Sequence, residues 1–347
     1  MRPTPSIAPR APSPPSSRVR VRRRRAAAVL AVVLAAGAVT GLALVGSEHN
    51  APGRRHDTIP VPIGGMALEP GHFASGACVA YAPTVGDRHE TVFLDAGHGG
   101  IDPGAVGVTT AGQTIYEADA TLPVELDTLA LLRAEGFRVV VSRTTDSTVA
   151  RLGRADSAGS ELTLQGSHDD VAARAACADD AGARALVGIY FDAGLSAQDA
   201  GSLTAYDAAR SFSNANLALA TLLQDDVLTA MNGRGWGIPD AGVQDDTMLG
   251  SFVGDPQAGG IAGAAASYDH LLLLGPAAAG FFSQPSRMPG AVIEPLFVTD
   301  PFEASIAANA SDQAVIAGGI AHAVEQFLIP PVPSGGHKDA AAHHARH

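Results

Sequence analysis

The sequence predicts an α/β domain: a twisted, mostly parallel sheet with helices on both faces, carrying a single catalytic-type site. Three observations lead there. Short, apolar, β-prone runs alternate with longer stretches whose apolar residues recur at helical spacing. The first such run, 91–94, stops at Asp95 in a glycine-rich loop, T-V-F-L-D-A-G-H-G-G-I-D-P-G-A-V-G. Two later runs carry acids that a buried strand does not need, Asp192 and Glu294. A strand that ends in a glycine-rich loop puts that loop at the carboxyl edge of a parallel sheet, where α/β proteins bind their ligands.

The elements follow in order. Residues 1–25 are rich in Pro, Ser and Arg, and read as a basic disordered N-terminus. Residues 26–46 form an uncharged stretch of 21 residues behind a cluster of four arginines. That length spans a bilayer, with the arginines on the cytoplasmic side. A secretory signal has the same pattern. No A-x-A cleavage pattern follows, which favours an uncleaved membrane anchor. Both readings export the domain, either anchored facing the cell wall or secreted. Residues 47–86, rich in Pro and Gly, read as a linker and lead-in, and 87–330 as the domain.

Within the domain, a helix over 117–135 places Leu122, Leu126, Leu129 and Leu132 on one face, and Gly136 stops it. F-R-V-V-V-S at 137–142 is the next strand, and polar residues 144–165 read as a surface loop. A helix over 169–180 leads into the strand A-L-V-G-I-Y-F at 185–191. Residues 202–206 add a strand, 214–231 an amphipathic helix, and 233–267 a long loop or lid. The runs at 270–274 and 291–297 are two further strand candidates. A helix over 311–328 closes the domain, and 331–347 reads as a disordered His-rich tail.

The formal net charge is −12. Ten arginines lie in residues 1–55, leaving 13 bases against 34 acids in the remainder. Such a body does not bind nucleic acid through a basic face. Two cysteines, Cys78 and Cys177, fit an exported protein in which a disulfide ties the lead-in to the domain; two unpaired buried thiols are the alternative. Without a C-x-x-C pair, zinc binding through cysteine is not expected.

Three strand ends carry groups that can do chemistry: His98, Asp192 and Glu294. A lone loop histidine is usually a surface residue. A carboxylate in an apolar run, by contrast, costs several kcal/mol unless it is paired, bound to metal or opening into a cleft. Glu117 opens a helix, where it could simply complement the helix dipole. A histidine and two carboxylates converging on one sheet edge suit a cation such as zinc and leave a further carboxylate as general base.

The loop G-H-G-G-I-D-P-G-A-V-G resembles the opening motif of the zinc-dependent N-acetylmuramoyl-L-alanine amidases, cell-wall hydrolases of the amidase-3 type. Further segments resemble that family in order: Glu117 and then V-V-V-S-R-T-T-D; A-A-R-A-A-C-A-D-D-A-G-A-R-A-L-V-G-I-Y-F-D-A; N-G-R-G-W-G-I and H-L-L-L-L-G; and P-G-A-V-I-E-P-L-F-V-T-D-P. The resemblance covers about residues 90–328. It implies zinc held by His98 and Glu117, Glu294 as catalytic base, and cleavage of the amide between N-acetylmuramic acid and L-alanine in peptidoglycan.

One departure matters. The family has a histidine as third ligand where this chain has Tyr190, in G-I-Y-F-D. A phenol is a poor zinc ligand unless deprotonated. Asp192 lies on the same face of the strand as Tyr190, because side chains alternate, and is the substitute ligand, roughly 6 to 7 Å further along. His168 and His270 are other candidates without a spacing argument. Ala96 replaces a frequent Pro, and Pro295-Leu296 replace a small residue and glycine. Three functions therefore follow: an amidase with an altered metal site, an inactive relative that binds peptidoglycan or regulates another hydrolase, and another kind of hydrolase. A serine esterase would need G-x-S-x-G, which the chain lacks.

Overall fold

The computed structural model describes residues 62–249 and 260–329. The basic N-terminus, the 26–46 segment and the 331–347 tail lie outside them. Among the described residues, no helix is long and apolar enough to cross a membrane.

Eight strands form one sheet. They are β1 (Met66–Ala67), β2 (Ala77–Tyr81), β3 (Thr91–Ala96), β6 (Arg138–Arg143), β9 (Ala185–Ile189), β10 (Ser202–Tyr206), β11 (Asp240–Asp245) and β12 (Gly290–Glu294). Their order is β1-β2-β6-β3-β9-β12-β10-β11. The centre, β6-β3-β9-β12, is wholly parallel. On one side β2 and β1 add antiparallel, and on the other β10 runs antiparallel to β12. Two small hairpins, β4–β5 (Val106–Val108, Thr114–Tyr116) and β7–β8 (Ser157–Ala158, Glu161–Leu162), stand outside the sheet.

Side-chain alternation explains why the central strands are continuously apolar. Val92 and Leu94 of β3 face one way, and pack with Val139, Val187 and Ile293 in one core. That core is closed by α1 (Glu117–Ala134), α3 (Ser213–Gly233) and α6 (Ala310–Leu328), through residues such as Leu129, Leu223 and Ile320. Phe93, Val140, Leu186 and Val292 face the other way, toward Cys177 and Ala178 of α2 (Leu164–Asp180). Two short helices, α4 (Gly260–Ala266) and α5 (Pro301–Ala307), complete the described elements.

Several expectations shift at their edges. From residue 62 on, the lead-in supplies β1 and β2, and β2 is fully buried beside β6. Cys78 of β2 and Cys177 of α2 form a disulfide across a separation of 99 residues. The 233–267 stretch is not all loop, because it holds β11 and α4. Residues 270–274 are not a strand: the Leu274 and Gly275 amides both donate to the Leu271 carbonyl, so the apolar run turns back on itself. Its leucines are buried in that turn, against α2 and β12. An apolar run marks burial, but does not by itself distinguish strand from turn.

Candidate active site

The site is built at the carboxyl edge of β3, β9 and β12. After Ala96 the chain turns through Gly97, His98, Gly99 and Gly100. His98 has φ 60, Gly99 φ 125 and Gly100 φ 64. The left-handed region is cheap for glycine and costs a histidine about 1–2 kcal/mol, so surrounding contacts must hold it. They do. The Gly99 amide donates to the Asp102 carbonyl at 2.8 Å, and Arg174 Nη2 donates to the His98 carbonyl at 2.8 Å. Arg143, fully buried, donates to the Ala96, Gly97 and Ala118 carbonyls. That ties the loop to the start of α1.

His98 is thereby aimed with Nδ1 at Asp102 Oδ2, 2.8 Å away, and Nε2 at Glu117 Oε2, 3.1 Å away. Burial opposes a charged imidazole, but Asp102 and then Glu117 outweigh it and hold the His98 pKa well above the ordinary value. In return, against its own burial, Asp102 is lowered to about 2, chiefly by His98. Asp102 fixes which ring nitrogen faces the site, as partners of metal-binding histidines do.

Glu117 is buried and rigid, and does more than cap a helix. Its Oε1 accepts from the Phe191 amide and its Oε2 from the Ala105 amide, each at 2.9 Å. Gly104 makes room for it: a Cβ there would lie 2.6 Å from Glu117 Oε2 and 2.7 Å from His98 Cδ2.

Asp192 and Glu294 complete the cluster. Asp192 is buried, with Oδ1 accepting from the Ala193 amide at 2.6 Å. Burial and then the Glu117 charge raise it to about 7, against the lowering effect of the Ala193 amide. Glu294 ends β12, where Pro295 stops the strand. Burial, and then Asp192 and Glu117, raise its pKa well above the ordinary carboxylate value. Three buried atoms here make no hydrogen bond: His98 Nε2, Asp192 Oδ2 and Glu294 Oε2. Leaving such groups unsatisfied costs about 1–3 kcal/mol each. One imidazole nitrogen with carboxylate oxygens is by its chemistry a donor set for zinc, although no three ligand atoms of these residues lie within 4.8 Å of one another.

Tyr190 stands apart from this cluster. Its hydroxyl donates to Asp95 Oδ2 at 3.0 Å, and its ring meets His98 edge-on at 5.5 Å. The ring lies over Gly97, where a Cβ would come within 2.4 Å of it. Burial, and then Asp95, raise the phenol pKa well above its ordinary value, so it stays protonated and gives its hydrogen to Asp95. Because β9 ends at Ile189, strict alternation stops before Asp192. Tyr190 therefore belongs to the Asp95 network, while Asp192 pairs with Glu294.

The other two histidines lie elsewhere. His168 is held between Asp169 and the Phe281 carbonyl, with its ring 4.8 Å from the Phe281 ring. His270 sits with Asp207 and Asp246 beyond the opposite end of β10. Sequence reasoning missed Asp102, although a carboxylate four residues after a histidine in a glycine loop was a usable signal. It also missed Asp95 and Arg174, whose pairing joins residues 79 apart.

Residues 92–326 match the sequence pattern of a family described as N-acetylmuramoyl-L-alanine amidase. Among solved structures, the CwlD amidase of Clostridioides difficile in complex with the GerS lipoprotein is similar, at 20% identity and TM-score 0.50. The match covers 69% of this chain and 98% of that one, and shows a shared fold. The catalytic domain of CwlV, an N-acetylmuramoyl-L-alanine amidase from Bacillus (Paenibacillus) polymyxa, matches at 22% identity and TM-score 0.46, over 69% and 98% of the two chains. Ami1 from Mycobacterium smegmatis matches at 17% identity and TM-score 0.43, over 70% and 99%. No curated protein matches the sequence.

Proposed function

The chain belongs to the N-acetylmuramoyl-L-alanine amidase family, and from that premise we propose that His98, Glu117, Asp192 and Glu294 form the centre at which it hydrolyses peptidoglycan. The bond cut is the amide between the lactyl group of N-acetylmuramic acid and the L-alanine of the stem peptide. The observation that supports this site most is the set of three unsatisfied buried atoms, His98 Nε2, Asp192 Oδ2 and Glu294 Oε2, around a fixed Glu117.

His98 and Glu117 would hold zinc, with Asp192 in place of the third ligand that Tyr190 does not supply. When bound, zinc lowers the pKa of a coordinated water and polarises the scissile carbonyl. Glu294 takes the proton from the attacking water. It then delivers that proton to the departing amine of L-alanine as the carbon–nitrogen bond breaks, leaving a lactyl carboxylate. Asp102 keeps His98 oriented throughout.

Export fits this substrate. The Cys78–Cys177 disulfide suits an oxidising compartment outside the cytoplasm. Residues 26–46 serve as anchor or signal, so the domain, assigned to 87–330 with its lead-in, meets the wall from the membrane side or after secretion.

A second reading has one observation in its favour. Tyr190 occupies the position of the family's third ligand and gives its hydroxyl to Asp95. A chain that lost zinc this way would bind peptidoglycan, or regulate another hydrolase, without cutting. Zinc content of the purified chain separates the two. In a chain carrying Asp246→Asn, so that only this centre is counted, one zinc that disappears with Glu117→Ala supports the amidase; a zinc-free chain that acquires zinc with Tyr190→His supports the binding protein.

A further inference from the structure

At the opposite end of the sheet from the His98 cluster, Asp207, Asp246 and His270 form a second convergence. β10 runs antiparallel to β12, with Leu203 beside Glu294. Asp207 therefore leaves β10 four residues past Leu203, roughly 13 Å along the strand direction from the level of Glu294. Asp246 follows β11, and His270 follows α4. Three separate segments thus meet at one point, and their donor atoms all lie within 4.8 Å of one another. Among the described residues this is the one such trio.

The trio is arranged tightly. His270 Nδ1 lies 2.8 Å from Asp207 Oδ2 and 3.1 Å from Asp246 Oδ1. Both carboxylates are fully buried. Each is oriented by backbone amides on its other oxygen. Asp207 Oδ1 accepts from Ala209 at 2.7 Å and Arg210 at 3.0 Å, and Asp246 Oδ2 accepts from Leu271 at 3.0 Å. The remaining oxygens, Asp207 Oδ2 and Asp246 Oδ1, both face the same ring nitrogen.

One proton cannot satisfy that geometry. Nδ1 carries at most one hydrogen, and its hydrogen bond runs to Asp246 Oδ1. Asp207 Oδ2 is left buried, with no hydrogen bond, pointing into the trio. Arg210 shares the turn with Asp207, but its guanidinium donates to the Leu274, Gly275 and Ser286 carbonyls. A cation at the centre would satisfy all three donors together. Donors on one ion with bonds of about 2.1 Å stand about 3–3.5 Å apart, and the imidazole nitrogen lies 2.8 and 3.1 Å from the two carboxylate oxygens.

We propose that Asp207, Asp246 and His270 bind one divalent cation of the zinc and manganese class, at a site separate from the catalytic centre. Two carboxylates neutralise a double charge, and the imidazole excludes calcium and magnesium, which prefer oxygen alone. His270 is partly exposed, so the ion has a route in and room for water. Asp246 and His270 flank the segment between β11 and the Leu271 turn. The ion therefore clips both ends of that segment to the end of β10.

The test uses the full chain carrying His98→Ala, which removes the catalytic zinc site from the count. After dialysis against zinc chloride, and in parallel manganese chloride, bound metal per chain is measured by mass spectrometry. The expected result is about one ion per chain. Adding Asp246→Asn, which keeps the side-chain shape, lowers affinity at least tenfold, and adding His270→Gln does the same. Chelator then lowers the melting temperature of the His98→Ala chain, but not that of the His98→Ala, Asp246→Asn chain. A His98→Ala chain that holds neither metal overturns the proposal, as does binding that survives both second substitutions.

Discussion

Tyr190 gives its hydroxyl to Asp95, 3.0 Å away, and that pairing turns it from the cluster that Asp192 and Glu294 form. Asp95 also receives Arg174 Nη1 at 2.7 Å, so the tyrosine is the outer member of a buried chain from Asp170 through Arg174. Tyr190→Phe deletes one hydrogen bond to a charged acceptor, and the expected loss of stability is about 1.5–3 kcal/mol. Zinc content should not change, because the phenol is no ligand. Equilibrium unfolding with metal analysis checks both; a phenylalanine variant that loses zinc would assign Tyr190 to the metal site.

Arg174 is the hub of that chain. It is fully buried, and pairs with Asp95 and Asp170 while holding the Ala96 and His98 carbonyls. Arg174→Met leaves two buried carboxylates without their cation. The expected cost is about 3–5 kcal/mol. Because the His98 carbonyl is released too, activity at a temperature where the variant is still folded should also fall. Denaturant unfolding and a peptidoglycan-release assay measure the two effects separately.

Gly104 is the glycine whose replacement reaches the site most directly. It has φ 65, and a Cβ would strike Glu117 and His98 at once. Gly104→Ala costs about 1–2 kcal/mol in backbone conformation alone. It also displaces a glutamate fixed by two amides. Zinc affinity should drop at least tenfold while the far-ultraviolet circular dichroism stays unchanged. An alanine variant with wild-type zinc affinity contradicts the placement of Glu117.

Glu125, below the sheet edge, makes stability depend on pH. Its Oε1 accepts from the Ala96 and Ser142 amides, and burial raises its pKa to about 8. Between about pH 4.5 and 8 the folded chain therefore holds a proton that the unfolded chain has released. Stability from this group is full below pH 4.5 and falls as pH rises from there through 8, by at most about 5 kcal/mol. Glu125→Gln keeps the acceptor and removes the titration. Its melting temperature relative to wild type should rise between pH 5 and pH 9; a constant difference would contradict the shift.

Much of this was legible in the chain. The central strands could be read because parallel strands covered on both faces are continuously apolar, and the convergence of His98, Glu117 and Glu294 because polar residues at strand ends and a helix start break that pattern. The trio at the far edge could not be read this way. Asp207, Asp246 and His270 come from separate segments, and the parallel register of β10 with β11, Tyr206 beside Asp245, brings the two acids together. The 270–274 run misled because four leucines look alike in strand and buried turn; the turn's hydrogen bonds decide it. The divergence of Tyr190 from Asp192 was hidden for a related reason. Alternation holds only within a strand, and β9 ends one residue before Tyr190.

The central claim is that this cluster cuts the muramyl–alanine amide, and the most direct measurement is the release of new L-alanine amino termini from purified peptidoglycan. The full chain is compared with Glu294→Gln and Asp192→Asn at matched zinc. The expected result is steady release by wild type, a loss of 100-fold or more for Glu294→Gln, and loss of both zinc and activity for Asp192→Asn. No release by a zinc-loaded wild type that still binds peptidoglycan, or equal release by all three chains, would contradict it.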